Sequence, residues 1–556
     1  MARTNTASQQ QQQPGAAGAR STDRNRSNPN YNSFPVYNTI AATLASTQTN
    51  GAPADASAAK SGKPARVLAP DLLRGLLMII MAMDHVSVSF GFWEHGTGRV
   101  GEQDGAVVER WNFPTAFVVR TLTHLCGPGF TFLLGMGIVY LGNARVKIGW
   151  GAGKLIRYFA VRMVVLTALC VVFGVTFTLG AAWFVNPVVF ALGVDYFLVG
   201  LLWLAMNKTE PLLASAITLA IRDEPEVTDE SPIDEEAPLF DRPRTKSRAG
   251  AETISWHIHN VFLAILTVVT IFWNIWMSEN GGHCISSSSP SSSPRGYAGL
   301  TAAAPLDILK VAPGIQPQNQ PTHPLLKIWF WPMMGADTLK YGMMSGFPPM
   351  AWISFAILGL LYGRLVYGRP WTKLTTTAHA LAGAGFMVIF VMTRVFRFGN
   401  LSEGCLHTPD HDKANRHANP YLVSPQSFLY IIKYPPDVAY WAATLSVNFL
   451  LLALFGALPL RLAKRMTLLL DLGGAALFFY VAHMYLIMAL AVVMLPIFGH
   501  KPDKGVTNPM GGTKVMTNLY AYFVIWVFVI AVMWPSCRWY GRFKSTKGAD
   551  SLWRFF

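Results

Sequence analysis

The chain has 556 residues and a formal net charge of +15, yet only 13% of its residues are charged, about half the share of a soluble domain. With a mean hydropathy of +0.32, that shortage of solvated surface excludes an ordinary soluble globule. The lysines and arginines sit in short segments beside apolar blocks, not along one amphipathic face, so no nucleic-acid partner is expected.

Residues 1–66 are rich in Gln, Asn, Ser, Ala and Gly, with a run from Gln9 to Gln13, and are basic through Arg3, Arg20, Arg24, Arg26, Lys60, Lys63 and Arg66. Too little apolar surface is present to offset the entropy of ordering, which predicts a disordered cytoplasmic tail. No secretory signal opens the chain, so the first apolar block, near Leu72, is expected to direct insertion. Apolar blocks then recur at 72–92, 117–141, 155–180, 183–206, 256–277, 348–367, 377–395, 437–456, 468–495 and 518–537. Blocks of this size cross about 30 Å of hydrocarbon as helices rising 1.5 Å per residue. The stretch 211–221 is apolar but too short to span. The predicted fold is an all-α polytopic membrane protein with about ten transmembrane helices, a membrane domain at 67–537 and a cytoplasmic C-terminal tail at 538–556.

Placing the N-terminus in the cytoplasm makes every short inside connection basic. Arg145, Lys147 and Lys154 fall in the first, Arg364, Arg369 and Lys373 in another, and Arg461, Lys464 and Arg465 in a third. Arg538, Arg542, Lys544 and Lys547 follow the last helix. This asymmetry predicts both termini inside. Three long loops remain. Residues 207–255 carry an acidic run from Asp223 to Asp241 and then Arg242, Arg244, Lys246 and Arg248, read as a solvated, disordered insert open to regulation. Residues 278–347, with the serine-rich stretch Ser286 to Ser293, and 396–436 face the opposite side.

The five cysteines show no CxxC or zinc spacing. Cys284 and Cys405 lie in the two non-cytoplasmic loops and can pair in an oxidising compartment. Of the sequons at Asn25, Asn207 and Asn400, only Asn400, with Ser402, falls on that side. Cys405, His407, Asp410, His411, Asp412 and His417 cluster in one loop without regular ligand spacing, and no metal is expected.

Ionisable groups inside spans carry the functional information, because burying charge in lipid is costly. The first helix holds Asp71, Arg74, Asp84 and His85. Asp71 and Arg74 are three apart, share a face and can pair near the cytoplasmic boundary. Arg74 and His85 are eleven apart, again one face, with about 16 Å between them along the axis. That face must line a cavity or a polar bundle interior. His124 lies in the outer half of the second helix, His483 near the middle of the ninth, and Asp195 near the middle of the fourth. Gly127-Pro128-Gly129 breaks the second helix just after His124, either to line a cavity or as a proline kink.

The segment from Asp71-Leu-Leu-Arg-Gly75 to Asp84-His85 resembles the start of the heparan-α-glucosaminide N-acetyltransferase catalytic-domain family and its bacterial relatives. So do Arg120-Thr-Leu-Thr-His124-Leu-Cys-Gly-Pro-Gly-Phe-Thr-Phe-Leu-Leu-Gly135, Lys433-Tyr-Pro-Pro-Asp437 and Phe478-Phe-Tyr-Val-Ala-His483. Their order and spacing cover most of 67–495 outside the long loops. Arg74 with His85 also resembles the pattern of bacterial membrane enzymes that O-acylate surface polysaccharides. The resemblance implies a ten-helix acyltransferase core that takes acetyl-CoA or another acyl-CoA from the cytoplasm and serves a small-molecule or glycan acceptor across the membrane. The family's active histidine lies in a His-Ala-x-Trp-Asn motif after the first helix; here Trp93-Glu94-His95-Gly96 stands there, with Trp111-Asn112 much later.

Acyl transfer needs acceptor deprotonation and stabilisation of an oxyanion, and histidine serves as base or covalent carrier near pH 7. His85 is the expected catalytic residue, with Asp84, His124 and His483 as supporting groups and Arg74 and Asp71 toward the CoA phosphates. Neighbouring helix residues point about 100° apart, so a direct Asp84–His85 pair is not required. Transfer can be direct or through acyl-histidine. The same buried Asp, Arg and His residues suit a proton-coupled transporter, and an inactive scaffold of the same fold is the third reading. The Gly359-to-Gly363 GxxxG pattern permits close helix packing, within the chain or between copies.

Overall fold

The computed structural model describes residues 68–98, 101–222, 246–278, 282–284, 324–333, 341–401, 403–414, 418–502, 513–548, 551 and 553. The N-terminal tail at 1–66, the acidic run, the Ser286 to Ser293 stretch, Asn25, Ser402 and His417 lie outside the described residues.

Among the described residues, ten helical segments are long and apolar enough to cross a membrane. They are α1 (Ala69–Phe90), the pair α2 (Pro114–Thr123) and α3 (Cys126–Lys147), α4 (Ala152–Phe177), α5 (Val189–Arg222) and α6 (Lys246–Trp276). After the short helix α7 (Pro324–Phe330) come α8 (Pro349–Val366) and α9 (Lys373–Val395). The short α10 (Pro409–Lys413) and α11 (Pro425–Leu429) precede α12 (Val438–Ala457). Then follow the short α13 (Leu460–Arg465) and α14 (Thr467–Gly474), and finally α15 (Ala476–Phe498) and α16 (Leu519–Ser545). The chain is therefore an all-α multi-pass membrane protein. Two three-residue strands, Phe184–Asn186 and Met343–Ser345, pair in parallel between connections. The fourth helix does not stop at 206 as its hydropathy suggests. It runs through Pro211 to Arg222, so the short apolar stretch at 211–221 continues a span.

Proline and glycine set the ends and the contacts. Pro70 occupies the first turn of α1, where its missing N–H costs nothing. Gly91, left-handed with φ 63°, ends the helix by giving its N–H to the Ser87 and Val88 carbonyls. A side chain at Gly75 would collide with the Leu469 backbone, and one at Gly473 with Asp71, so this glycine pair lets α1 and α14 touch backbone to backbone. The same device joins α3 to α8, where Gly135 faces Ala356 and Gly359 faces Phe132. Gly363 packs on Met136; the GxxxG pattern is thus used inside the chain.

The two ends of the bundle differ. The connections after α1, α4, α6, α9 and α15 meet at one end. There Val108 pairs with the Cys405–Leu406–His407 backbone, the Glu403 carbonyl accepts from the Cys284 amide while the Glu403 amide donates to the Gly282 carbonyl, and Met516 donates to Phe90. Cys284 and Cys405 are disulfide-bonded there, with Cα atoms 5.4 Å apart. The other end gathers the arginines and lysines of the short connections. Asn400 lies within the disulfide end and is 5% exposed. Its amide donates to the Thr393 carbonyl and its oxygen accepts from Arg394 at 3.0 Å. A glycan on this nitrogen is incompatible with the folded structure.

Candidate active site

The kink between α2 and α3 is the first element of the site. Pro128 lacks the N–H that would bond the carbonyl of His124, four residues back. The Tyr440 hydroxyl from α12 donates to that carbonyl instead, at 2.8 Å. The break is therefore a proline kink re-satisfied by a neighbouring helix, as hydrocarbon surroundings demand.

α1 supplies two groups that go separate ways, as the 100° rotation per residue predicts. Asp84 accepts from both sides: the Arg120 guanidinium lies 3.1 and 3.2 Å from its two oxygens, and the Thr123 hydroxyl 3.3 Å away. His95 stands 3.7 Å from the same carboxylate. Arg120 is buried and shared, because its Nε and Nη2 also fork onto Glu102 at 3.1 and 2.8 Å. Glu102 is fully buried and takes a further bond from the Thr97 backbone at 2.6 Å. Burial pushes the Glu102 carboxyl up, but Arg120 and His124 more than offset it and hold it well below the usual carboxylate range. Burial pushes the His95 imidazole down to about 3, aided by Arg120 and only partly opposed by Asp84.

His85 turns instead to His483 on α15. Both residues lie sixteen positions beyond the start of their helical run, Ala69 for α1 and Thr467 for α14–α15, so each has risen about 24 Å. The His85 Nδ1 to His483 Nε2 distance is 2.8 Å, and the rings stack with centroids 5.0 Å apart. The tautomers follow from the bonds. His483 Nδ1 lies 2.7 Å from the Phe479 carbonyl, which only accepts, so Nδ1 carries the proton. In the neutral ring His483 Nε2 is then an acceptor, His85 Nδ1 must donate to it, and His85 Nε2 is left with its lone pair. His85 is half-buried, not sealed. Tyr480 stands edge-on at 6.2 Å, its hydroxyl buried without a hydrogen bond.

The remaining predicted residues are placed as follows. Asp71 and Arg74 pair at 3.2 Å near the basic end, and Arg74 also reaches the Gly473 carbonyl at 3.4 Å. His124 does not join the His85 pair. Its ring is buried against Tyr440, with Nε2 3.6 Å from Glu102 and neither nitrogen hydrogen-bonded. Asp195 is fully buried on α5 with neither oxygen hydrogen-bonded. His407, Asp410 and Asp412 are exposed, while Cys405 is taken by the disulfide.

Sequence reasoning missed Arg120, Glu102 and Lys433 as site residues. Arg120 had a usable signal, an arginine at a span's edge without an acid three or four residues away. Glu102 had none, since it sits in an irregular loop. Lys433 is buried among aromatic rings, 5.3 Å from Phe347 and 5.1 Å from Tyr434. The backbone amides of Lys433 and Tyr434 both donate to the Glu102 carbonyl. Asn274 of α6 holds the adjoining Pro436 carbonyl at 2.9 Å. The Lys433-Tyr-Pro-Pro-Asp437 motif thus clamps the loop that carries Glu102. Asp437 closes it by capping α12, bonding the Tyr440 amide at 2.6 Å.

No protein-family model matches this chain, and no curated protein matches it significantly. The class defined by the fold is the multi-pass membrane protein.

Proposed function

We propose that the chain is a membrane-embedded acyltransferase that uses acetyl-CoA or another acyl-CoA and a hydroxyl or amine acceptor. The observation that carries this reading is the bond sequence Phe479 carbonyl, His483, His85, which leaves an imidazole lone pair at His85 Nε2 in a half-buried site. As the acceptor oxygen or nitrogen attacks the thioester carbonyl carbon, His85 Nε2 takes its proton. When the C–S bond breaks, the leaving thiolate recovers that proton. His483 keeps its bond to Nδ1 throughout and stabilises the imidazolium. The Asp84–Arg120–Glu102 network fixes α1 and α2 around the pair.

Arg74 lies on the His85 face about 16 Å away, a distance that a phosphopantetheine arm reaches, and with Asp71 it is the candidate for the CoA phosphates. We further propose that the basic end and both termini are cytoplasmic. The basic short connections support this, as does a disulfide at the opposite end, which needs an oxidising compartment.

Acetyl transfer from labelled acetyl-CoA to a sugar-amine panel, measured on the purified full chain in proteoliposomes, tests the reading. His85→Gln should lower kcat by about 10²–10⁴ without moving the melting temperature. His483→Gln should shift the pH profile of the residual rate. Undiminished transfer by a folded His85→Gln variant overturns the assignment. Asp195 favours the second reading, a proton-coupled carrier, because a buried carboxyl without partners suits proton binding. Substrate flux that needs no acyl donor and is lost in Asp195→Asn would select it.

A further inference from the structure

A buried cation normally has an anion bonded to it, because taking the charge out of water is costly. Lys433 lacks one. The residue is 5% exposed. Among the described residues its ammonium meets two aromatic rings, Phe347 at 5.3 Å and Tyr434 at 5.1 Å, but no hydrogen-bond acceptor and no carboxylate. The rings offset part of the cost, and three N–H donors remain unspent. The neighbouring carboxylates are committed elsewhere. Glu102 holds Arg120 and the Thr97 amide, and Asp84 holds Arg120 and Thr123. Charge is balanced at a distance, two carboxylates against Arg120 and Lys433, without a bond to the ammonium.

The fold carries this ammonium toward the histidine pair. The Lys433 amide donates to the Glu102 carbonyl at 3.1 Å, and Glu102 leads through Arg120 to Asp84, the residue next to His85. The aromatic cradle lies against the α2–α3 kink. Phe347 packs on Trp352 at 4.8 Å, and a side chain at Gly127 would strike that indole. His85 is five residues short of the end of α1 at Phe90, about 7.5 Å. Lys433 is five residues ahead of the start of α12 at Val438, so both approach from the disulfide end. The Lys433 charge accordingly acts on Asp84, His85, His95 and His124 alike.

We propose that Lys433 is a catalytic residue of the acyl transfer, its ammonium donating to the thioester carbonyl oxygen as that oxygen becomes an anion. This role rests on the acyltransferase reading. As the acceptor atom bonds to the carbonyl carbon, the π pair moves onto oxygen, and Lys433 gives that oxygen a hydrogen bond without losing its proton. When the C=O bond re-forms, the C–S bond breaks and the thiolate leaves with the proton that His85 took from the acceptor. A donor already bonded to a carboxylate would have to break that bond first; Lys433 has none to break, which is the preorganisation an oxyanion site needs. His85 handles the proton and Lys433 the charge on oxygen.

The test measures binding to the purified full chain in detergent by isothermal calorimetry, so no acceptor is needed. The probes are S-(3,3,3-trifluoro-2-oxopropyl)-coenzyme A, whose hydrated ketone imitates the tetrahedral oxyanion, and S-propyl-coenzyme A, which has no carbonyl. Wild type should prefer the ketone by about 10²-fold or more. Lys433→Met should lower that preference by about 10²-fold and leave S-propyl-coenzyme A binding unchanged. Lys433→Arg, which keeps the charge, should restore part of the preference. Lys433→Gln keeps the length and one N–H group and is read in the same way if Lys433→Met does not fold. An undiminished preference in the folded uncharged variant, or equal loss of both ligands, overturns the role and makes Lys433 a charge-balancing part of the framework. Wild-type binding of both probes without preference also overturns it. Failure of wild type to bind either probe overturns the acyltransferase reading itself, and this role with it.

Discussion

At the disulfide end of the bundle the buried charges meet as opposites, whereas at the basic end cations meet one another. Arg120 is divided between Asp84 and Glu102 with every contact at hydrogen-bonding distance. Arg145, Arg162 and Lys544 line a cavity with no carboxylate on its wall. Among the described residues, two pairs at the basic end copy the other pattern: Arg364 on Glu210 at 2.7 Å, with Asn260 beside it, and Arg74 on Asp71 at 3.2 Å. The difference separates two uses of charge. A matched, buried network holds helices in one arrangement; the clustered cations at the opposite end belong to its basic short connections.

Breaking the matched network should have the largest effect. Arg120→Met leaves Asp84 and Glu102 buried without their cation and should cost about 3–5 kcal/mol, seen as loss of the folded peak in detergent chromatography. A variant that stays folded with an unchanged melting temperature would show that the network is not what holds α1 to α2. Replacing Cys284 and Cys405 by serine together should cost about 2–4 kcal/mol, and the wild type with reductant should melt like that variant.

The pH response is smaller and has two opposed parts. His95 sits at about 3 in the fold against an ordinary 6.5, so its contribution is full above 6.5 and lost as pH falls toward 3. Asp437 lies outside the spans, and burial pushes its carboxyl up to about 6 from 3.8, opposed by Arg394 and backbone N–H bonds. Its contribution is full below 3.8 and lost as pH rises through 6. Melting curves of Asp437→Asn should therefore fall more steeply on acidification than wild type, and those of His95→Gln less steeply. Identical profiles for all three proteins would refute both assignments. The smallest effect belongs to the basic end: Lys544→Gln, in the last turn of α16, should change stability by no more than about 0.5 kcal/mol. A large loss on thermal melting there would make Lys544 part of the fold's framework and erase the contrast between the ends.

Hydropathy and loop charge carried the ten spans, because a bilayer requires long apolar helices and leaves few alternatives. The pairing of Asp71 with Arg74 was legible too, since three residues on one helix put them on one face. Cys284 and Cys405 were readable as possible partners only through the topology that put both loops on one side. What hydropathy could not see was that the helix continues from 207 to 222, because the polar run Asn207-Lys-Thr-Glu210 and Pro211 interrupt the apolar pattern without ending the helix.

By itself, then, the sequence determined a polytopic membrane protein with basic short connections and costly ionisable residues in its first, second and ninth spans. Only the tertiary structure decided which of those residues meet. It joined His85 to His483 across 398 positions, gave Asp84 to Arg120 and not to its neighbour, and drew Glu102 out of an irregular loop into the centre of the network. The physical reason is that spacing along a helix specifies a face, whereas a buried charge or imidazole needs a partner from another segment, and that partner is chosen by packing.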